Sequence, residues 1–145
     1  MAIRKITPDD REIYKQMAAE FYGSDAVSHK IPDEYFDRAF AAAMEGNPCI
    51  DLYILEYNGE IAGYSAVANT FTTEGGGKTV WLDELYIREN YRGKGLGSQL
   101  IDFLKSDGTI KRIRLEITPE NENAKRLYKS KGFEECDYRQ LICEL

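Results

Sequence analysis

Apolar residues in this chain recur at two different spacings, and each change of spacing marks a change of element. Ile13, Met17, Ala18 and Phe21 lie three or four apart, which predicts a helix with Thr7 as N-cap, Pro8 at its first position and Gly23 at its end. A second helix is predicted over about 33–45, with Phe36, Phe40 and Met44 on one face and the stop signal Gly46, Asn47, Pro48 behind it. A short strand, 2–6, precedes both. From residue 50 the period falls to two. Strands are predicted at 50–57, 61–70 and 79–88, joined by the hairpin pair Asn58 and Gly59 and by the turn Glu74, Gly75, Gly76, Gly77. Helical spacing returns over 95–105 with Leu96, Leu100, Phe103 and Leu104. A strand at 111–117, a helix at 120–131 and a last strand at 135–145 complete the chain. This order predicts a mixed sheet with helices on both faces. No repeat, low-complexity tract or linker interrupts it, so 1–145 is expected to be one domain.

Composition narrows the class. The 145 residues are 43% hydrophobic and 12% aromatic, as in soluble globular proteins. No apolar run approaches the ~18 residues of a membrane span, and the first residues lack the apolar stretch of a signal peptide. No membrane partner is therefore expected. Cys49, Cys136 and Cys143 are widely spaced and His29 is the single histidine, so no metal pattern exists; the thiols read as reduced, in a cytoplasmic protein. A net charge of -6 excludes a general nucleic-acid binder. The charge is also segregated. Residues 88–131 hold 11 Lys/Arg against 6 Asp/Glu, and the remainder holds 8 against 19. One segment suits an anionic ligand and the rest a cationic one.

The basic segment opens on Arg92, Gly93, Lys94, Gly95, Leu96, Gly97 and Ser98, between a predicted strand and a predicted helix. Alternate glycines let backbone N–H groups converge on a ligand, the helix start adds unpaired amides and a positive dipole end, and Arg92 and Lys94 add full charges. Such a turn fits a pyrophosphate. It is neither of two commoner phosphate motifs. The dinucleotide fingerprint would need glycine at Ser98 or Leu100, and the P-loop would need glycine at Thr72, ahead of Gly77, Lys78 and Thr79.

Arg92, Gly93, Lys94, Gly95, Leu96 and Gly97 match the R-x-x-G-x-G loop of the GNAT superfamily of N-acetyltransferases. The run from Leu82 to Ile87 resembles that family's fourth strand. Asn121, Ala124, Leu127 and Tyr128 resemble its N-x-x-A-x-x-L-Y segment, followed by Gly132 and Phe133. The resemblance is strong over 61–133. It implies an α/β (α+β) GNAT fold, a mixed and mostly antiparallel sheet of six or seven strands with about four helices on its two faces, and a β-bulge that splays the fourth strand from the fifth. It implies acetyl-CoA as cosubstrate and no metal. Leu85, Tyr86 and Ile87 are then expected to pair with the pantetheine arm, the amides of 93–98 to hold the pyrophosphate, Asn121 to bond the pantetheine region, and Tyr128 to approach the thioester sulfur.

Acetyl transfer to an amine needs a base for the acceptor ammonium and an acid for the leaving thiolate. Tyr128 is the expected acid. Asp83 and Glu84, adjacent on a strand, point to opposite faces, so at most one faces the acceptor directly. Glu84 shares a face with Tyr86, and Asp83 shares one with Leu85 and Ile87; Glu84 is favoured as base, with Asp83 the alternative. A backbone N–H at or near Leu85 is expected to stabilise the developing oxyanion. On the acceptor side, Tyr22, Ser24 and His29 in the first interhelical loop and Glu74 in the glycine-rich hairpin are candidates for contact with an amine-bearing, cationic substrate. A homodimer is left open. The competing reading is a non-catalytic acyl-CoA sensor on the same fold, which would need neither the strand carboxylates nor Tyr128.

Overall fold

The structure, a computed structural model, describes residues 2–145; of the expected domain only Met1 lies outside it. The elements run β1 (Ala2–Lys5), α1 (Arg11–Tyr22), α2 (Glu34–Met44), β2 (Ile50–Tyr57), β3 (Glu60–Thr72), β4 (Gly77–Ile87), α3 (Leu96–Ser106), β5 (Ile110–Arg114) and α4 (Glu122–Ser130). The sheet order is β1-β2-β3-β4-β5. The first four strands are antiparallel neighbours, and β5 runs parallel to β4.

Two apolar clusters sit on opposite faces of this sheet. Tyr14, Met17, Ala18 and Phe21 of α1 join Phe36 and Phe40 of α2 against Leu52, Ile54, Tyr64 and Ala66. Leu96, Leu100, Ile101 and Leu104 of α3 meet Leu55, Val67, Val80 and Leu82 on the other face, with Tyr128 of α4 packed alongside. The chain enters α1 through a tight polar corner. The Thr7 N–H and hydroxyl both donate to the Asp10 carboxylate, at 2.8 and 2.9 Å, and Arg4 grips the same carboxylate at 2.7 and 3.0 Å. Arg4 and the Thr7 donors hold Asp10 down at about 2, below the usual carboxylate range.

The feature that shapes the site is an irregularity in β4. Side chains on a regular strand alternate, so Val80 and Leu82 should share their face with residues 84 and 86. Instead Leu85 and Ile87 pack against the same cluster as Val80 and Leu82. The ladder shows why. Leu82 lies opposite Val67 and Glu84 opposite Ala66, leaving Asp83 without a partner on β3. Asp83 is the extra residue of a β-bulge, a device that bends a strand and re-aims side chains. Pairing with β5 stops just before it, at Trp81 opposite Arg114, where the Arg114 guanidinium lies 4.5 Å from the Trp81 ring centroid. The expected splay of the fourth strand from the fifth is therefore present.

The sheet departs from expectation at its end. Among the described residues it has five strands, not six or seven, and 135–145 makes no ladder. A strand needs both a partner edge and a face to bury. Here Leu141, Ile142 and Leu145 are 96%, 78% and 118% exposed, so the segment buries no apolar face. The Tyr138 hydroxyl donates to the Glu74 carboxylate at 3.2 Å, which ties this segment to the β3–β4 hairpin.

Candidate active site

The glycine-rich turn begins where β4 ends. Gly93 and Gly95 adopt φ of 74° and 79°, a left-handed conformation that costs an L-residue with a side chain about 1–2 kcal/mol. Gly95 is the N-cap of α3, and with no side chain to offer it leaves the first-turn amides of the helix uncapped. Gly97 follows inside that turn; a Cβ there would lie 3.0 Å from Leu127 and 3.4 Å from Leu85, so its smallness lets α3 settle against both. Arg92 is exposed, and its Nε donates to the Ile87 carbonyl at 3.0 Å. The Lys94 ammonium lies 5.4 Å from the Tyr57 ring centroid. The result is an uncapped helix start with two cations beside it.

From this turn the unpaired edge of β4 runs back past Ile87, Tyr86 and Leu85 to Asp83. Their other edge remains laddered to Gly63, Tyr64 and Ser65 of β3. Asp83 is exposed, but partial loss of water around its carboxyl raises it above the ordinary range, and the Glu116 carboxylate, just beyond β5, raises it further. Tyr128 packs into the same cluster as Leu85 and Ile87, its ring 5.5 Å from that of Phe133. Burial pushes its phenol up to about 12, so it is protonated at neutral pH. Tyr128 and the unpaired stretch of β4 thus meet at the cluster formed by Leu85 and Ile87, next to the uncapped start of α3.

Glu84 turns to the opposite face. Tyr22 donates to its Oε2 at 3.0 Å and Tyr64 to its Oε1 at 2.8 Å, while the Ser65 hydroxyl donates to its backbone carbonyl at 2.9 Å. Burial raises the Glu84 carboxyl, the two tyrosine donors oppose that, and Asp83 adds to it. Tyr64 and Tyr22 are themselves pushed well above a free phenol, by burial first and by the Glu84 carboxylate second.

A family model described as the Acetyltransferase (GNAT) family matches residues 11–133. The chain belongs to the GNAT acetyltransferase family. It is 36% identical over 86 residues to a spermine/spermidine N(1)-acetyltransferase of Bacillus subtilis (strain 168), an alignment covering 55% of this chain and 57% of that protein. The chain spans about half the length of the curated relatives it matches first. In structure it resembles an integron cassette protein from the mobile metagenome of Cole Harbour Salt Marsh, with a TM-score of 0.80, 25% identity and coverage of 99% of this chain and 90% of that one. A predicted acetyltransferase from Clostridium acetobutylicum, crystallised with acetyl-CoA, shares the fold at a TM-score of 0.78 and 20% identity, covering 98% of this chain and 95% of that one.

Within this GNAT protein the residues expected on the acceptor side do not all converge. Tyr22 reaches the Glu84 carboxylate. Ser24 is spent locally: its hydroxyl donates to the Phe21 carbonyl at 2.6 Å and accepts from the Ala26 N–H at 3.2 Å, finishing α1. His29 is exposed in the loop, without a hydrogen-bond partner among the described residues. Glu74 lies at the far end of β4, beyond Gly77, which is roughly 23 Å along the strand from Glu84 at about 3.3 Å per residue. Asn121 caps α4, its Oδ1 accepting from the Ala124 N–H at 3.1 Å, which leaves its amide N–H₂ free to donate. Sequence reasoning missed Tyr64, Ser65 and Glu116. Only Tyr64 left a trace, as a polar-tipped aromatic between Ile61, Ala62 and Gly63 on one side and Ala66 and Val67 on the other.

Proposed function

We propose that this GNAT protein transfers the acetyl group of acetyl-CoA to a primary amine by direct attack, with Asp83 as base and Tyr128 as acid. The observation that carries the reading is the bulge. It takes β4 away from β5 at Asp83 and leaves an open strand edge leading from the uncapped start of α3 to that carboxyl. The amides of 93–98 would hold the pyrophosphate, helped by Arg92 and Lys94. Leu85, Tyr86 and Ile87 would pair with the pantetheine arm, Asn121 would donate to it, and an N–H at Leu85 would polarise the thioester carbonyl. Bound there, acetyl-CoA supplies an activated acyl carbon.

Asp83, directly or through one water, takes a proton from the acceptor ammonium and frees the nitrogen lone pair. Nitrogen then forms its bond to the acyl carbon as the C–S bond breaks. Tyr128 donates to the departing thiolate and regains a proton from the attacking nitrogen, so one proton is released per turnover. Burial that raises the phenol raises the basicity of a thiolate in the same place, which keeps donor and acceptor matched. Glu84 fits the role of base less well, because hydroxyl donors already occupy both its oxygens. The acid excess outside 88–131 and the activity of the B. subtilis spermine/spermidine relative both favour a cationic amine.

The test is thiol release from acetyl-CoA across polyamines, aminoglycosides, amino acids and lysine peptides. Turnover with at least one amine supports the reading. Tight acyl-CoA binding with no turnover on any would replace it with the acyl-CoA sensor.

A further inference from the structure

We infer that Glu84 is a positioning residue, clamped by Tyr22 and Tyr64, that fixes the β4 bulge and the end of α1 so that Asp83 is presented to the gap. The inference rests on Asp83 being the base. Its own support is a convergence that the transfer chemistry does not require. Three hydroxyls, from α1 and from two adjacent residues of β3, meet on the one residue that follows the bulge, at 3.0, 2.8 and 2.9 Å. A bulge is a point where the ladder does not dictate register. Here the missing constraint is supplied from the side: Ser65 holds the Glu84 backbone while Tyr22 and Tyr64 hold its carboxylate.

The clamp is itself immobilised. Tyr64 is 0% exposed and meets the Tyr14 ring of α1 edge-on at 5.4 Å; Tyr22 lies against Phe36 of α2 at 5.7 Å. Two residues on, the Tyr86 hydroxyl donates to Glu20, so α1 and β4 are cross-linked twice, both times just after the bulge. Tyr22 is also the last residue of α1, directly before the loop expected over the acceptor. Through Glu84, therefore, the start of that loop and the position of Asp83 share one fixed point. A displacement of about 1 Å at a reacting group is enough to cost on the order of 10²-fold in rate.

Four variants, assayed with the fastest amine of the panel and by amide hydrogen exchange, separate the roles. Glu84→Gln keeps an acceptor for one tyrosine and a donor toward the other oxygen but cannot take a proton; it is expected to retain at least about a third of kcat. Glu84→Ala, with the clamp gone, is expected to lose about 30-fold in kcat, with acetyl-CoA KM within about twofold and faster exchange at the amides of 82–85. Tyr22→Phe keeps the core filled should the alanine variant not fold, and is expected to lose about threefold to tenfold in kcat with the same local exchange change. Asp83→Asn is expected to lose turnover without that change.

Equal inactivity of Glu84→Gln and Glu84→Ala beside an active Asp83→Asn would make Glu84 the base and overturn both readings. A dead Asp83→Asn beside fully active Glu84→Ala and Tyr22→Phe would leave the base in place and overturn the positioning role alone. Unchanged exchange at 82–85 in both clamp variants would also overturn it, whatever the amine.

Discussion

The two ends of the proposed site are built from different materials. The donor end, the turn into α3, is made of backbone: amides left unpaired because Gly95 offers no cap, in a conformation that glycine allows. The acceptor end is made of side chains, with Tyr22, Tyr64 and Glu84 meeting across separations of 62 and 20 residues. Backbone sites are set by local conformation and so are written in consecutive residues. Side-chain sites depend on which elements the whole fold brings together. The first kind tolerates changes of side chain wherever φ and space permit, and the second fails when any contributor is shortened.

The largest expected effect falls at the junction of the two ends. Asp83→Asn should lower kcat by roughly 10²–10⁴-fold, the range of a lost general base, with acetyl-CoA affinity nearly unchanged. A loss confined to affinity would place Asp83 on the donor side instead. Next is Gly95→Val, which puts a β-branched residue at φ 79° and is expected to weaken acetyl-CoA binding by about 10²-fold by calorimetry, with the domain still folded. Affinity equal to that of the unaltered protein would remove the backbone account of the donor end. Tyr128→Phe should cost about 10–100-fold in kcat and leave acetyl-CoA affinity within about twofold. Equal losses in both would make Tyr128 a packing residue.

A smaller effect is a shift with pH. Because partial desolvation and Glu116 raise the Asp83 carboxyl, and the base works only when ionised, the acid limb of kcat/KM should lie above the ordinary carboxylate range. Glu116→Gln should move that limb to lower pH. A limb that stays put would mean that another group titrates. The smallest effect concerns neither end. Arg4 and Thr7 lower Asp10 to about 2, so its stabilisation is complete above about pH 4 and is lost as pH falls toward 2. Acid unfolding of Asp10→Asn should show the unaltered protein ahead by roughly 1–2 kcal/mol at neutral pH and level with it near pH 2, with no change in turnover between pH 6 and 8.

Legibility in the sequence followed the same division. Both sheet-covering helix pairs, the hairpin at Asn58 and Gly59 and the glycine turn were readable, because period and turn chemistry are local. The bulge also left a mark: Val80, Leu82, Leu85 and Ile87 are spaced two, three, two, and a regular strand cannot bury all four on one face. The preference for Glu84 over Asp83 came from strict alternation and could not foresee two tyrosines on the glutamate. Tyr22, expected at the acceptor from loop topology, hydrogen-bonds Glu84, whereas Glu74, expected there from its charge, lies at the other end of β4. The last strand expected at 135–145 does not form among the described residues, and its Leu141, Ile142 and Leu145 stay exposed.

Asp83 can also be seen as an insertion. Removing that one position would restore odd–even parity along β4, bringing Val80, Leu82, Leu85 and Ile87 into a single uninterrupted row and removing the bend before which pairing with β5 now stops. The shortened strand would be free to zip onto its parallel neighbour, gaining ladder bonds as the gap closes. The chain would then make a more regular sheet with no passage through it. In this molecule the opening and the proposed proton acceptor are the same residue, so deleting it removes both, whereas Asp83→Asn removes the acceptor alone.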